Sequence, residues 1–358
     1  MTNRENFFRA MGRDSPQWIP LDFQLCPAQV QRFRQETGAD DFMEYFHLPI
    51  RYIDLLPTQQ SPDFRPFYGD DLPQEAKPVT WAAEWGVMGI AGPVAHFERM
   101  HHPLARMTRV EELDAYPFPD LAADYRYQQV PAQIRQWKER DLVTVKHMKE
   151  TIFEMAWFLR GMDNLMVDFY ENPDFAAVLL DKITQIREES ARQICRCGID
   201  LIQLGDDVAT QRDMLLNPGL WREWFKPRLA RIIRAIREEN PRVLVFYHSC
   251  GNIRRIIPDL IEIGVDILNP IQPECMDPIQ IKQEYGDRVS FWGGLGTQTT
   301  LPFAQPAQVR QTCRERMETM GAGGGFVLAP SHVVEPEVPW ENLMAKIEAH
   351  RDFSRYSF

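Results

Sequence analysis

The sequence predicts an α/β fold in which one (β/α)8 barrel, or TIM barrel, forms a single domain over residues 1–358. From residue 140 onward, short apolar runs alternate with amphipathic stretches of helical length. This alternation is typical of parallel strands joined by helices. Two further apolar runs precede residue 140 and bring the strands to the eight that close a barrel. An open doubly wound sheet is the competing fold, but no Gly-x-Gly-x-x-Gly sequence follows the first strand.

The predicted elements follow one another along the chain. The eight strands are residues 18–23, 85–92, 142–145, 199–204, 243–247, 265–268, 289–292 and 325–330. The helices are residues 150–162, 172–197, 218–239, 253–263, 278–285, 306–320 and 339–350. Several of these helices begin at proline or end before glycine, which are typical helix boundaries. Residues 54–120 are rich in proline and irregular, so we predict that they form an insertion over the barrel mouth.

The composition argues against several classes of protein. The formal net charge is −11, and no block of lysine and arginine interleaves with aromatic residues, so we expect no nucleic acid partner. The longest apolar runs are shorter than the roughly 20 residues that a membrane span needs. The chain begins Met1-Thr-Asn-Arg-Glu, which is unlike a signal peptide. We therefore expect a cytoplasmic protein whose six cysteines are reduced thiols.

The most informative feature follows the strand at residues 243–247, in the sequence His248-Ser-Cys250-Gly-Asn. Side chains two residues apart in an extended segment point to the same side. The His248 imidazole and the Cys250 thiol can therefore converge at the carboxyl end of a strand, where barrels place their active sites. One nitrogen donor and one sulfur donor form half of a zinc-type site. The alternative interpretation is a buried thiol beside a hydrogen-bonded histidine. The last strand ends in Ser331-His332, and His332 could deliver a third ligand.

Carboxylates also follow strand ends. Asp206 and Asp207 come directly after the strand at residues 199–204. Adjacent residues of an extended segment point in opposite directions, so we predict that Asp207 faces the barrel axis and that Asp206 caps a neighbouring helix or loop. Asp207 could then be a metal ligand, a general acid or a binder of a cationic group. Glu154, on the helix after the third strand, is a further candidate for the mouth of the barrel.

Five more polar side chains are candidates for substrate binding because they lie on a strand or after a strand end. They are Asp22, His147, Gln211, Gln272 and Gln298. A carboxylate at Asp22, between Leu21 and Phe23, would be buried and would need a partner. Neutral amides after strand ends suit the orientation of a polar, uncharged group.

Several motifs together resemble the uroporphyrinogen decarboxylase superfamily, and the resemblance spans nearly the whole chain. They are Asn3-Arg4-Glu5 before an Ile-Pro strand, Arg160-Gly-Met, Gly205-Asp-Asp, His248-Ser-Cys-Gly and Gly323-Gly-Gly-Phe-Val-Leu-Ala-Pro-Ser-His332. True decarboxylases of this superfamily resemble one another in an N-terminal segment of the type Met-Arg-Gln-Ala-Gly-Arg. This chain has Phe23-Gln-Leu-Cys-Pro there, and the missing arginines argue against a porphyrinogen substrate.

The corrinoid-dependent methyltransferases are the other branch of the superfamily. They are recognised by His-x-Cys and a distant third cysteine, which bind zinc, and His248 and Cys250 match the first two positions. The third position falls at the end of the eighth strand, where this chain has His332, and Cys275 is an alternative third ligand. His332 also resembles a histidine of the decarboxylase branch, and the segment around Glu154 resembles the family. Together with Asp207, which strand parity directs inward, these are the predicted catalytic residues.

The resemblance implies a zinc-dependent methyltransferase of the O-demethylase type. Such an enzyme moves a methyl group between a small O-, N- or S-methyl compound, or a thiol, and a corrinoid (cobalamin) carried on a partner protein. A homodimer is compatible with this interpretation. Two alternatives stay open. One is a metal-free decarboxylase in which Asp207 stabilises a developing cation and His332 donates a proton. The other is a non-catalytic barrel that binds a tetrapyrrole or a corrinoid.

Overall fold

A parallel sheet surrounded by helices organises the fold, which a computed structural model describes over residues 1–92 and 98–355. The strands are β1 (Ile50–Tyr52), β2 (Lys77–Pro78), β3 (Met88–Ala91), β4 (Glu98–His101), β5 (Val143–Lys149), β6 (Leu201–Gly205), β7 (Leu244–His248), β8 (Ile267–Asn269), β9 (Ser290–Leu295) and β10 (Phe326–Pro330). The α-helices are α1 (Asn3–Gly12), α2 (Pro27–Thr37), α3 (Phe42–Tyr45), α4 (Val130–Glu139), α5 (Phe153–Arg160), α6 (Met162–Glu171), α7 (Pro173–Arg196), α8 (Pro218–Trp224), α9 (Lys226–Glu239), α10 (Ile257–Glu262), α11 (Pro278–Tyr285), α12 (Thr300–Phe303), α13 (Pro306–Met320) and α14 (Trp340–Phe353). Short 3-10 helices cover Arg65–Phe67, Gly69–Asp71, Thr80–Trp85, Val110–Ala115, Asp124–Tyr127 and Arg254–Ile256. Among the helices of the described residues, none combines the length and the apolar character of a membrane span.

Seven strands form the parallel sheet in the order β1-β5-β6-β7-β8-β9-β10, and a helix follows each strand from β5 to β10. The predicted first strand lies beside β10, where Leu21 pairs with Leu328 and Leu25 with Val334, both in parallel. These contacts occupy the place of an eighth strand. The predicted α/β class and the barrel-like arrangement are confirmed.

The predicted position of the second strand is wrong. Residues 85–92 contribute β3 to a separate antiparallel sheet of order β2-β3-β4, and the place next to β5 is taken by β1. The strand β1 was hidden because it is three residues long and carries a charge at its centre. Arg51 is buried there, donates to the carbonyl oxygens of Leu48 and Ile50, and pairs with Glu44 at 2.7 Å. These bonds compensate for the burial of the Arg51 charge. A charged residue would be expected at the surface when strands are sought only as runs of apolar residues.

The interior of the curled sheet forms its own hydrophobic cluster. Every strand of the seven contributes to it, through Ile50, Val143, Val145, Leu201, Phe246, Ile267, Trp292, Val327 and Ala329. Helix α1 closes the cluster at the amino-terminal end of the strands, because the Met11 carbonyl accepts from the Ser290 hydroxyl and the Ala10 carbonyl from the Gly325 N–H. The opposite end, at the carboxyl ends of the strands, is left for function.

The predicted insertion at residues 54–120 contains the antiparallel sheet and four of the short 3-10 helices. Arg160, at the end of α5, anchors it. The guanidinium pairs with Asp168 at 2.6 Å and donates to the carbonyl oxygens of Leu104 and Met107. The side chains of Arg160 and Asp168 are almost fully buried. The carboxylate and the two carbonyl oxygens offset the cost of removing the guanidinium from water. The Arg160-Gly-Met motif therefore holds the insertion on the barrel.

Candidate metal centre

A cavity of about 370 Å³ lies at the carboxyl ends of the strands. Six of the residues predicted from the sequence line it, namely Asp22, His147, Glu154, Asp207, His248 and His332. Its apolar wall includes Phe246 and Trp292, whose rings meet edge to face at 5.4 Å. The cavity combines this apolar surface with several convergent ionisable groups, which is the usual character of a ligand site.

Two side chains that line this cavity, Asp207 and His248, form a compact group of metal donors with the neighbouring Cys250. The ligand atoms of Asp207, His248 and Cys250 all lie within 4.8 Å of one another. Nε2 of His248 is 3.5 Å from Sγ of Cys250 and 3.5 Å from Oδ1 of Asp207. Two ligands of a tetrahedral zinc ion, at bond lengths of about 2.0–2.3 Å, lie roughly 3.3–3.8 Å apart. The two distances from Nε2 of His248 therefore fit zinc, and the described part of the chain holds no other such group of three.

The orientation of the His248 ring follows from a buried asparagine. Nδ2 of Asn269 donates to the Trp292 carbonyl oxygen at 2.7 Å, so Oδ1 of Asn269 faces Nδ1 of His248. An amide oxygen can only accept, so Nδ1 of His248 carries the proton. The lone pair is then on Nε2, the atom that faces Cys250 and Asp207. A metal-binding histidine needs this tautomer and this outer partner.

The local electrostatics favour a cation between the three donors. Burial, and then the Lys149 ammonium, lower the pKa of His248 to about 4, so its imidazole is neutral at pH 7. Burial and the Asp207 carboxylate raise the pKa of the Cys250 thiol well above its usual range. The sulfur therefore stays protonated until a positive charge lies beside it. A bound metal ion supplies such a charge and converts the thiol into a thiolate ligand.

The two adjacent aspartates have separate roles. Asp207 lines the cavity, and its Oδ1 accepts the Cys250 backbone N–H at 2.7 Å. Asp206 points the other way and accepts the N–H groups of Ile152 and Glu154 at the start of α5. The Glu154 carboxyl in turn accepts the Asp207 N–H at 3.0 Å. Burial, and then the charges of Asp207 and Asp206, raise the pKa of Glu154 well above its usual range. Glu154 is therefore a candidate proton donor at the cavity wall.

The third member of this group differs from the third ligand expected from the sequence. His332 lines the cavity, but its side chain is half exposed and its Nδ1 lies 3.4 Å from Glu335. Cys275 packs against the hydrophobic core and does not belong to the described lining of the cavity. Asp207 is the third donor near His248 and Cys250 instead. The main chain after β6 runs close to the turn at Cys250, whose N–H donates to the Asp207 carboxylate.

The predicted substrate-binding residues fall into two groups. Asp22 and His147 line the cavity. The three glutamines are placed outside its described lining: Gln272 is buried and accepts the Gly251 N–H at 3.2 Å, while Gln211 donates to Gln298 at 2.6 Å on the surface. Gln272 thus supports the turn that follows Cys250, and the other two pair with each other.

Among the cavity residues that went unnoticed in the sequence, two bear directly on the metal donors. Strand β5 continues to Lys149, four residues beyond the apolar run at residues 142–145 from which it was predicted, and Lys149 reaches the cavity. Asn269 ends β8 and orients His248. Inspecting every strand end for polar side chains, and not only those near histidine or cysteine, would have selected Asn269.

Beside the cavity wall lies a buried pair of opposite charge. Lys346 of α14 is fully buried, its Nζ has no hydrogen-bond partner among the described residues, and it sits 3.6 Å from the centroid of the Phe23 ring. Burial lowers the pKa of Lys346 to about 7 and raises the pKa of Asp22 to about 6, while the two charges partly offset each other. Burial thus opposes the charged form of both groups.

We expect Lys346→Met to stabilise the protein more at pH 6 than at pH 9. The unfolded lysine keeps its proton to about pH 10.4, whereas the folded one releases it near pH 7. The cost of burying the ammonium is therefore present in full below pH 7 and declines as the pH rises toward 10. Thermal unfolding at the two pH values measures this. The exposed Lys77→Met change should have little effect at either pH, and a loss of stability in Lys346→Met at pH 6 would contradict the argument.

Comparison with known proteins gives the relatives of this chain. A model of the uroporphyrinogen decarboxylase (URO-D) family matches residues 99–353. The chain is 26% identical over 186 residues to the uroporphyrinogen decarboxylase of Coxiella burnetii, covering 52% of this chain and 49% of that protein. It is 24% identical over 213 residues to the methylcobamide:CoM methyltransferase MtaA of Methanosarcina barkeri, covering 60% and 54%. The matches thus span about half the length of these curated relatives.

A solved structure shows the same fold over the full length. A methyltransferase from Methanosarcina mazei superposes with a TM-score of 0.68 at 18% identity, and the match covers 99% of both chains. Decarboxylases and methyltransferases are both among the relatives, so the sequence similarity points to an enzyme superfamily without separating the two reactions.

Proposed function

This chain belongs to the uroporphyrinogen decarboxylase (URO-D) family, and from that premise we propose that it is a zinc-dependent methyltransferase. It would move a methyl group between a small O-, N- or S-methyl compound, or a thiol, and a corrinoid carried on a partner protein. The observation that carries the proposal is the group formed by Asp207, His248 and Cys250 at the barrel mouth. A nitrogen, a sulfur and an oxygen donor in a protein cavity, with room for a further ligand, are typical of catalytic zinc sites.

The chain's own residues prepare this site for a metal ion. His248 presents a neutral imidazole with the lone pair on Nε2, and Asn269 holds that ring in place. Asp207 adds a carboxylate next to Cys250. Zinc bound here would act as a Lewis acid that favours the anionic form of the oxygen, nitrogen or sulfur atom exchanging the methyl group.

The residues around the metal site would handle the proton. Glu154, whose pKa is raised, contacts the Asp207 backbone, and His332 lines the same cavity. We assign to these two the exchange of a proton with the substrate heteroatom, and the raised pKa of Glu154 favours its protonated form. Asp22 and His147, which line the same cavity, would contact the substrate.

The corrinoid partner is supported by one of the relatives. MtaA of Methanosarcina barkeri is named as a methylcobamide:CoM methyltransferase, and a cobamide is a corrinoid. We propose that this chain likewise exchanges methyl groups with a corrinoid. That the corrinoid sits on a separate protein belongs to the same proposal.

Decarboxylation is the second candidate, because the family model and the Coxiella burnetii relative carry that name. In this reaction Asp207 would stabilise positive charge on an electron-rich ring, and His332 would supply the proton. The absence of arginine in Phe23-Gln-Leu-Cys-Pro argues against a substrate with many carboxylates.

One assay separates the two candidates. The purified chain is loaded with zinc and mixed with methylcobalamin and a panel of thiols, and in the reverse direction with cob(I)alamin and methyl ethers, methylamines and methyl thioethers. Absorbance follows the methylated corrinoid. We expect zinc-dependent transfer with at least one compound and none after removal of zinc by a chelator. Turnover of uroporphyrinogen by the metal-free protein, without any methyl transfer, would overturn the proposal in favour of the decarboxylase.

A further inference from the structure

A second cavity, of about 660 Å³, adjoins the metal centre. It lies between the insertion and the carboxyl end of β5. His147, Lys149 and Glu150 line both cavities, so these three residues form the wall between them. A molecule that occupied both cavities would have to pass these three side chains.

The lining of the second cavity is more basic than the chain as a whole. It contains four cations, Arg126, Lys146, Lys149 and Arg187, against three carboxylates, Asp54, Glu84 and Glu150. The whole chain carries a formal net charge of −11. A cavity with an excess of cations in an acidic protein attracts anions.

One of the three carboxylates, Glu84, already pairs with a cation of the cavity. Both oxygens of Glu84 bind Arg126, at 2.8 and 3.2 Å, and one of them also accepts the Thr58 N–H at 2.6 Å. Arg126 is almost fully buried, and its Nε has no hydrogen-bond partner among the described residues. The charge of this guanidinium is therefore already paired.

Two other cations have no carboxylate within ion-pair distance in the described structure. Arg187 donates to the carbonyl oxygens of Glu150 and Thr151 and stacks on the Trp85 ring at 5.1 Å. Lys146 donates to the Ile53 carbonyl oxygen at 3.1 Å, which satisfies one of its three N–H groups. Burial is the largest influence on Lys146 and lowers its pKa, so an anion beside the ammonium would relieve a real cost.

Part of the remaining wall is apolar. Leu55, Leu56, Trp81 and Trp85 line the same cavity. Indole and leucine surfaces favour a planar hydrophobic body, whereas ammonium and guanidinium groups favour a carboxylate. Both kinds of surface occur together here.

We propose that the second cavity binds the anionic end of the substrate and that the substrate is a methylated aromatic carboxylate. The ring would pack between the tryptophans, the carboxylate would face Lys146 and Arg187, and the methyl-bearing atom would reach past His147 to the group of Asp207, His248 and Cys250. This assignment rests on the proposed function, because it names the substrate class of the same metal centre.

Calorimetric titration of the zinc-loaded protein with para-methoxybenzoate and para-methoxybenzamide tests the assignment. The two probes share a ring and a methoxy group and differ in charge. We expect the carboxylate to bind at least about 10-fold more tightly than the amide. Lys146→Met should remove about 10-fold of the carboxylate affinity and change the amide affinity by less than about 2-fold. Lys146→Arg should keep the preference, and Lys77→Met, the same charge change on the exposed surface of the insertion, should leave both affinities unchanged.

Equal binding of the two probes by the unaltered protein, or no effect of Lys146→Met on either, would overturn the assignment. Failure here is distinguishable from failure of the proposed function, because the titration needs no methyl transfer. If zinc-dependent transfer occurs with neutral methyl donors while Lys146→Met has no effect, the substrate class is wrong and the methyltransferase stands. If the carboxylate binds through Lys146 but no transfer occurs with any corrinoid, the cavity is real and the reaction is another one.

Discussion

Cys250→Ser is expected to abolish stoichiometric zinc binding and, with it, methyl transfer. Serine keeps the size of the side chain and the Cys250 N–H bond to Asp207 but replaces a thiolate by a hydroxyl that stays protonated at neutral pH. Loss of an outer partner of a metal ligand already weakens binding by about 10–100-fold, so loss of the ligand itself should cost at least about 100-fold. His248→Ala should have the same effect. Elemental analysis and competition with a zinc chelator measure both variants.

The chain offers a matched control for this experiment. Cys275 is a partly buried thiol that packs against the core, away from the described cavity lining. Cys275→Ser should therefore retain one zinc per chain and the full rate of transfer. If zinc is lost from Cys275→Ser and kept in Cys250→Ser, the assignment of the metal centre is wrong. The half-exposed His332 provides a second comparison, since His332→Ala should lower transfer while leaving the zinc content unchanged.

Asn269→Ala is expected to weaken zinc binding by about 10–100-fold although Asn269 does not contact the metal. The amide holds the proton on Nδ1 of His248 and so keeps Nε2 directed at Cys250. Without it the ring can rotate or change tautomer, and part of the binding free energy goes into restoring the orientation. Asn269→Asp should keep most of the zinc affinity, because a carboxylate accepts the Nδ1 proton.

The two Asn269 variants also distinguish an effect on the orientation of the His248 ring from an effect on the stability of the fold. Aspartate cannot donate to the Trp292 carbonyl oxygen, which the Asn269 amide does at 2.7 Å. The thermal stability of Asn269→Asp should therefore fall, by an amount typical of a buried polar group left without a partner, about 1–3 kcal/mol. A residue that only maintains the fold would lose zinc affinity and stability together in both variants. Retained zinc affinity with lowered stability in Asn269→Asp is the signature of a positioning residue.

Much of the fold could be read from local patterns, but the second strand was misplaced for a reason that lies outside the strand. The strands from β5 to β10 alternate with helices as predicted, because apolar runs of strand length are buried on both faces of a parallel sheet. The second strand was misplaced because β1 is short and contains Arg51, whose charge is satisfied by Glu44 and by backbone carbonyls. The groups that stabilise the buried Arg51 charge include Glu44, which lies outside the strand. The residues of β1 alone therefore do not reveal that the charge is stabilised.

The sequence by itself determined the α/β class, the six βα units and the pair formed by His248 and Cys250, since two side chains on the same strand end share a side whatever surrounds them. Only the tertiary structure decided which residue joins that pair. Asp207, His332 and Cys275 come from different strand ends, and their distance from Nε2 of His248 depends on how the strands align and how each following loop turns. The same holds for the second cavity, where the insertion brings Trp81 and Trp85 to the same space as Lys146 and Arg187. Contacts between distant segments arise from packing across the whole barrel, and no local period or spacing records them.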